Sequence, residues 1–173
     1  PSHLPWDEPL ARAWLPLDPW FAAFLSTPGW PSPSVQRLDA TNWLATHTQL
    51  RRLLVRDPSP LHTRGHIGRA CPVETPEGPN IGRFLVIARG ATVRDGRLVV
   101  LDERPAAALG LGASCIPFLE HDELPRLLMG ANMLRQWLPQ PDPEPALVQT
   151  GLEPDAADFW CGRDLLTAFI AWD

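Results

Sequence analysis

The sequence contains neither lysine nor tyrosine, so all 15 of its basic residues are arginine. Cysteine is scarce as well: Cys71, Cys115 and Cys161 are far apart, and no two of them form a CxxC pair. An odd number of dispersed cysteines argues against a disulfide-stabilised fold and against a zinc site. We therefore expect reduced thiols in a cytoplasmic protein.

Long hydrophobic runs are also missing. No apolar stretch approaches the roughly 20 residues that cross a bilayer, and the first residues lack the basic start and apolar run of a secretion signal. The sequence therefore predicts a soluble protein that is not secreted and has no membrane partner. A length of 173 residues is sufficient for one domain with its own hydrophobic core.

The histidines give no sign of a metal site. His62, His66 and His121 could be combined with Cys71 or Glu120, but these spacings match no familiar set of metal ligands. We therefore predict that these histidines are structural and that the chain binds no metal.

The net charge of −5 is unevenly distributed along the chain. Residues 51–104 contain ten arginines and six acidic residues, whereas residues 105–173 contain three arginines and ten acidic residues. A basic middle region is typical of a surface that contacts nucleic acid. Charge blocks of this size also occur on ordinary solvated surfaces, so charge alone does not decide between the two.

The first 36 residues are rich in proline and tryptophan and predict a helical arm, distinct from a core region over 37–173. Within this arm, Asp18 is a candidate helix cap and Pro19 suits the first helical position. Residues 41–55 place apolar side chains on one face without a glycine or proline, which predicts the first helix of the core.

The pair Asp95-Gly96 lies between two short strand-like segments and predicts a β-hairpin over 91–101. Combined with the helices, this hairpin predicts an α+β fold. Three further elements are predicted: a helix from Asp122 to about Leu138 with Met129 and Met133 in the core, an extended proline-rich linker over 139–145, and a buried strand over 164–172.

The segment 66–82, with the sequence HIGRACPVETPEGPNIG, is the most informative part of the chain. Three prolines and three glycines predict a stiff loop of specific shape, which can present Glu74, Glu77 and Asn80. Taken by itself, such a segment would be interpreted as a rigid turn with solvated carboxylates.

This loop closely resembles the signature loop of the bacterial RNA polymerase β subunit. Three more segments resemble the same family and occur in the family's order, which makes a chance match improbable. They are residues 39–52, similar to the helix beside the exiting RNA that also forms the rifamycin pocket; residues 112–136, similar to a second signature; and residues 162–172, similar to the strand entering the double-psi β-barrel. The resemblance implies a part of the β-subunit core with shortened connectors.

The resemblance also implies site residues. The implied catalytic residues are Arg126, which matches an arginine that faces the incoming triphosphate, and Glu123. A guanidinium suits this role because its planar fork of donors matches phosphate oxygens. The implied nucleic-acid contacts are Gln49, Arg52, Glu77, Asn80, Asn132, Arg135 and Gln136. For the last three, ordinary polarity and capping of a helix is the alternative interpretation.

The family's magnesium-binding aspartates belong to the partner β′ subunit, so we expect no cofactor on this chain and no activity of the chain alone. The implied partners are the β′ and α subunits, template DNA, nascent RNA and a nucleoside triphosphate. Two functions stay open: a component or paralogue of the β subunit, or a non-catalytic module that binds polymerase or nucleic acid as a regulator. A remnant without a function of its own is a third possibility.

Overall fold

A computed structural model describes residues 36–55 and 64–171, together with three isolated helical positions, Pro9, Pro19 and Phe21. The rest of the predicted N-terminal arm, including the Asp18 cap, lies outside the described residues, as do His62 and Trp172. The chain divides into two compact units, Pro1–Arg37 and Leu38–Asp173.

The described residues of the second unit form two α-helices and four short strands. In chain order they are α1 (Trp43–Leu50), β1 (Arg52–Leu54), β2 (Phe84–Val86), β3 (Ala91–Arg94), β4 (Arg97–Val100) and α2 (Leu124–Leu134), with short 3-10 turns between them. The strand β1 pairs with β2 and β3 pairs with β4, both antiparallel. This mixture of helices and antiparallel strands confirms the α+β class.

The first helix of the core is shorter than predicted. The side chain of Asn42 caps the start of α1, and the helix ends at Leu50 rather than near Val55. Residues after Arg51 form β1 instead, since Leu53 lies opposite Leu85 of β2. Pairing with a distant strand outweighs the weak local preference of this segment for a helix.

The predicted hairpin is confirmed. Ala91 to Arg94 pair in register with Val100 to Arg97. Asp95 and Gly96 both have positive φ, +50° and +71°, which is the requirement of the two-residue turn that matches the twist of paired strands.

The helix α2 begins after Glu123, not after Asp122, and it ends at Leu134 instead of Leu138. Its buried residues are Leu127 and Ala131. The assignment of the methionines to the core was wrong: Met129 and Met133 are 39% and 48% exposed. They are two residues away from the buried positions, and a helix turns by about 200° over that distance, so they lie on the other face.

The predicted buried strand at the C-terminal end was wrong over its described part. Residues 164–171 have no regular structure, and Leu165, Leu166, Phe169 and Ile170 each expose at least 71% of their surface. A strand needs a neighbour for its backbone groups, and none of the described strands pairs with this segment. The proline-rich segment 139–145 is irregular as predicted.

Within the described ranges 36–55 and 64–171, two apolar clusters form the core. The larger one contains Cys71 and Val73 of the signature loop, Val86 of β2, Leu127 of α2, and also Ala113, which lies between β4 and α2. The smaller one contains Ile87, Ala88 and Ala91, with Leu53 and Leu98 packed against them. The larger cluster therefore fixes the signature loop against α2. No helix in the described parts of the chain has the length and apolar character needed to cross a membrane.

Candidate nucleic-acid interface

Asn42 links the two helices. Its Oδ1 accepts a hydrogen bond from the backbone N–H of Ala45 at 2.8 Å, and its Nδ2 donates to the carbonyl oxygens of Leu134 at 2.9 Å and Trp137 at 2.8 Å. One side chain thus caps the start of α1 and satisfies carbonyls at the end of α2, where no intrahelical donor exists. The start of α1 is therefore held at the end of α2.

Thr75 closes the signature loop. Its hydroxyl donates to the carbonyl of Phe84 at 2.9 Å and accepts from the backbone N–H of Gly82 at 2.8 Å. The chain between Thr75 and Gly82 is thereby fixed at both ends, and Gly78 and Gly82 adopt the positive φ that the bend requires. The loop therefore has a defined shape around Glu77.

Asn132 connects α2 to this loop. Its Nδ2 lies 3.4 Å from the carbonyl oxygen of Thr75 and 3.5 Å from Oε1 of Glu77. The guanidinium of Arg135 donates to Oδ1 of Asn132. Glu77, Asn132 and Arg135 are therefore neighbours, although 55 residues separate the first two in the chain.

Arg135 is half-buried, and burial lowers the pKa of its guanidinium. Glu74 raises this pKa, Arg52 lowers it and Asp39 raises it, so all three charges act on Arg135. Its Nε is buried without a hydrogen-bond partner in the described residues. A guanidinium retains its charge under all ordinary conditions, so Arg135 presents a fixed positive charge.

Arg52 and Gln49 are linked to this group: the charge of Arg52 lowers the pKa of Arg135, and Gln49 bonds to Asp39, whose charge raises it. The guanidinium carbon of the exposed Arg52 is 5.6 Å from the centre of the Phe84 ring, a cation–π distance. Oε1 of Gln49 accepts from the backbone N–H of Asp39. Hydrogen bonds from the hydroxyl and backbone N–H of Thr41 lower the pKa of Asp39, with smaller contributions from Arg135 and Arg52.

We call the group formed by Gln49, Arg52, Glu77, Asn132 and Arg135 the polar surface. It offers two guanidinium groups and two amides but only one carboxylate. Such donors can hold phosphate and sugar oxygens without reading a base sequence. Asp39 and Thr75, which fix the positions of these side chains, were not among the predicted site residues, although an Asp two residues before a Thr is a typical turn signal.

Asn80 and Gln136 are exposed and take no described part in the polar surface. Their backbone groups are used locally, since the carbonyl of Asn80 accepts from Arg83 and the N–H of Gln136 donates to Met133. No hydrogen bond of either side chain occurs within the described residues.

Glu123 and Arg126 lie at the other end of α2. Glu123 occupies the cap position without a capping side-chain bond, while its carbonyl accepts from the N–H of Arg126 at 2.9 Å. Both residues are exposed. Nine residues separate Arg126 from Arg135, or about 13 Å along a helix axis. The structure thus places these two predicted residues apart from the polar surface.

The expectation for Glu74 was wrong, because this carboxylate is neither presented to a ligand nor solvated. Its side chain is 1% exposed, and Oε1 accepts from the backbone N–H of Ala113 at 2.8 Å. Its Oε2 has no hydrogen-bond partner in the described residues. Burial raises the pKa of this carboxyl, while hydrogen bonds from Ala113 and Gly112 and the charges of Arg135 and Arg51 act in the opposite direction.

Arg51 has a structural role that the sequence did not reveal. Its guanidinium donates to the carbonyl oxygens of Ile87, Ala88 and Ala91 and so holds together the segment between β2 and β3. Burial lowers the pKa of Arg51, and Arg89 contributes in the same direction. Of the two consecutive arginines, Arg51 therefore serves the fold and Arg52 is exposed.

Cys71 belongs to the same buried region. Its sulfur accepts from the backbone N–H groups of Val73 and Glu74 at 3.4 and 3.3 Å. Burial, together with the charge of Glu74, raises the pKa of the thiol to about 11. The three cysteines form no disulfide in the structure. Among the described residues, no three His, Cys, Asp or Glu side chains are arranged to hold a metal ion.

A cavity of about 540 Å³ lies between α2 and the irregular C-terminal region. Its walls are mainly apolar and include Leu44, Ile116, Met133, Trp137 and Phe159. Thus Met133 lines a cavity instead of filling the core. None of the predicted site residues lines this cavity, so it is separate from the polar surface.

A family model described as "RNA polymerase Rpb2, domain 3" matches residues 36–93. This range contains α1, the signature loop and both strands of the β1–β2 pair.

Three related proteins carry the name DNA-directed RNA polymerase subunit beta. The one from Gloeobacter violaceus is 32% identical over 197 residues, covering 70% of this chain and 18% of that protein. The proteins from Guillardia theta and Lawsonia intracellularis are 31% and 30% identical over the same share of this chain, with 18% and 14% of their own lengths covered. The chain thus spans less than a fifth of these relatives. The alignment extends over 197 positions, more than the 173 residues of this chain. The relatives therefore contain residues within this region that the chain lacks.

Proposed function

Because the chain belongs to the family of RNA polymerase β subunits and corresponds to one segment of them, we propose that it contributes RNA-hybrid and incoming-nucleotide contacts to a transcribing polymerase. In this proposal the catalytic activity belongs to an assembly with β′-like and α-like chains. The magnesium for nucleotidyl transfer is held by the β′ partner, and template DNA, nascent RNA and a nucleoside triphosphate are bound between the chains.

The observation that carries this proposal is the link from the signature loop through Asn132 to Arg135. A single amide lies within 3.5 Å of both Thr75 and Glu77 and accepts a hydrogen bond from Arg135. Side chains fixed in this way lose little freedom when a ligand binds, which favours binding. Their chemistry suits the backbone of an RNA strand, because amides and guanidinium groups donate to sugar and phosphate oxygens.

Arg126 is the proposed contact for the triphosphate. It is exposed in the first turn of α2 and forms no ion pair among the described residues. An unpaired guanidinium is available to stabilise the charge that develops on phosphate oxygens during nucleotidyl transfer. Its distance from Arg135, about 13 Å along the helix axis, allows the two arginines to contact different parts of the substrates.

The test is to purify the tagged chain from its native cells and to identify the proteins and nucleic acids bound to it. Arg52→Ala and Arg126→Ala are compared with Arg104→Ala, which removes an exposed arginine that is paired with Asp102 at 2.7 Å. We expect β′-like and α-like chains with all variants. We expect RNA synthesis to fall at least tenfold with Arg126→Ala, while Arg104→Ala leaves it unchanged.

Two other results would contradict the proposal. Recovery of a polymerase that already contains its own full β subunit would indicate a non-catalytic module that acts on the enzyme. Recovery of no polymerase chain would indicate a remnant without a role in transcription.

A further inference from the structure

The hairpin of β3 and β4 carries a pair of like charges at its end. Arg94 and Arg97 are direct partners in the strand register, and both are exposed. Cross-strand partners project from the same face of a sheet, with Cα atoms about 4.5 to 5.5 Å apart. The two guanidinium groups therefore leave the hairpin side by side.

This pair is not neutralised within the described chain. Asp95 lies between the two arginines, yet among the residues that the structure describes no ion pair joins a carboxylate to Arg94 or Arg97. Arg104, also exposed, instead donates from Nε and Nη2 to the carboxylate of Asp102. Like charges directly opposite each other destabilise a pair of strands. An external anion would remove this cost.

Two more arginines adjoin the hairpin. Nε of Arg69 donates to the carbonyl of Leu98 at 3.2 Å, and its Nη1 donates to the carbonyl of Gly65 at 3.3 Å. The 3-10 turn Arg64–His66 is thereby attached to β4, and Arg64 is exposed within it. Arg69 and the turn that contains Arg64 are thus attached to the strand that carries Arg97, and we call Arg64, Arg69, Arg94 and Arg97 together the hairpin surface.

The contacts of the hairpin surface also bear on the type of partner. Arg69 occupies the carbonyl of Leu98, so an extended peptide cannot use this group to add a strand beside β4. A partner must bind through the charged side chains instead. Arginine presents a planar fork of donors that fits phosphate oxygens in a bidentate manner, and a two-stranded ribbon is narrow enough to enter a nucleic-acid groove.

We propose that the hairpin surface binds the phosphate backbone of a nucleic acid, as a second contact region besides the polar surface. Binding is independent of base sequence, because phosphate contacts carry no sequence information. This inference does not require that the chain acts in a polymerase, since it depends only on the four arginines and their unneutralised charge.

The test measures how the affinity of the full chain for labelled duplex DNA and for an RNA–DNA hybrid depends on salt concentration, using fluorescence anisotropy. For the double variant Arg94→Gln/Arg97→Gln we expect the slope of log affinity against log salt to fall by about two, one for each lost phosphate contact. The double lysine variant restores the charge and should retain the slope. Arg104→Gln is the matched control with no expected change.

An unchanged slope in the double glutamine variant would overturn the proposal, as would an equal change in the Arg104→Gln control. Absence of any nucleic-acid binding at low salt would also overturn it. A polyglutamate peptide that binds through Arg94 and Arg97 more tightly than the duplex would identify an acidic protein as the partner and reject a nucleic acid. Comparison with Arg52→Gln separates this inference from the proposed function. If Arg52→Gln abolishes binding and the double glutamine variant does not, only the hairpin surface is contradicted.

Discussion

The signature loop and the C-terminal segment 164–171 both resemble parts of one family, yet their structures differ completely. In the loop, Cys71, Val73 and Glu74 are buried, and the Thr75 hydroxyl closes the chain onto itself. In the C-terminal segment, four large apolar side chains are exposed. The loop finds its partners within the described chain, whereas the segment does not. A sequence pattern therefore determines a structure only where the partners it requires are present.

Removal of the Glu74 carboxylate is expected to have the largest effect on the stability of the loop. Glu74→Ala leaves the N–H of Ala113 without its acceptor and opens a cavity beside Gly110 and Gly112. We expect a loss of about 3 kcal/mol in the free energy of unfolding, measured with urea. Glu77→Ala is the matched control: this glutamate of the same loop is exposed, so its removal should cost less than about 0.5 kcal/mol. Equal losses would show that burial of Glu74 does not stabilise the loop.

Adding a methyl group tests the same contrast at two glycines: Gly110, which packs against Glu74 of the loop, and Gly162, which lies just before the C-terminal segment. In Gly110→Ala the new Cβ would collide with Oε1 of Glu74 and lie close to Cβ of Cys71, whereas in Gly162→Ala it meets nothing within 4 Å. We expect Gly110→Ala to reduce the free energy of unfolding by about 2 kcal/mol, as overpacking of a buried site does. Gly162→Ala should be neutral.

The clash at Gly110 also predicts coupling. Because Glu74→Ala removes the colliding carboxylate, the double variant should be less destabilised than the sum of the two single changes. Strict additivity would mean that the methyl group at position 110 acts through some other contact.

The raised pKa of Glu74 predicts an unusual dependence on pH. Since the folded carboxyl has a pKa above its ordinary value of 4.5, the folded state binds the proton more tightly than the unfolded state. Ionisation of Glu74 therefore lowers stability as the pH rises from about 4.5 through the folded pKa. Asp39, Asp102 and Glu153 act in the opposite sense, because their pKa values are lowered and their stabilisation is lost in acid.

Glu74→Gln isolates this contribution, since it retains an acceptor for Ala113 and removes the titration. We expect the stability of the variant relative to the wild type to increase between pH 4.5 and pH 7.5, measured by urea unfolding at both values. A difference that stays constant with pH would contradict the raised pKa.

The accuracy of the sequence predictions depended on how far apart the interacting residues are. The hairpin was predicted correctly because the backbone requirement of its turn is met by two adjacent residues, Asp95 and Gly96. The end of α1 was wrong because β1 depends on β2, about 30 residues later. Burial of Glu74 could not be predicted either, since its acceptor role depends on Ala113, which is 39 residues away.

The candidate site shows the same limit. The resemblance indicated Glu77, Asn132 and Arg135 one by one, but the contacts between them depend on how α2 packs against the signature loop. The spacing of residues in the sequence does not indicate how α2 packs against the loop. Long-range contacts are therefore the information that the structure adds.

The smallest effect is expected in the C-terminal segment. Leu166 and Phe169 are fully exposed, so Leu166→Gln/Phe169→Gln removes no buried apolar surface and should change the free energy of unfolding by less than about 0.5 kcal/mol. The contrasting control is Leu127→Ala in α2, where loss of a buried side chain should cost about 2 to 4 kcal/mol. If the double glutamine variant lost as much as Leu127→Ala, the segment would be packed in solution and the contrast with the loop would disappear. If it is neutral, the exposed apolar side chains contribute nothing to folding, and their burial would require another strand.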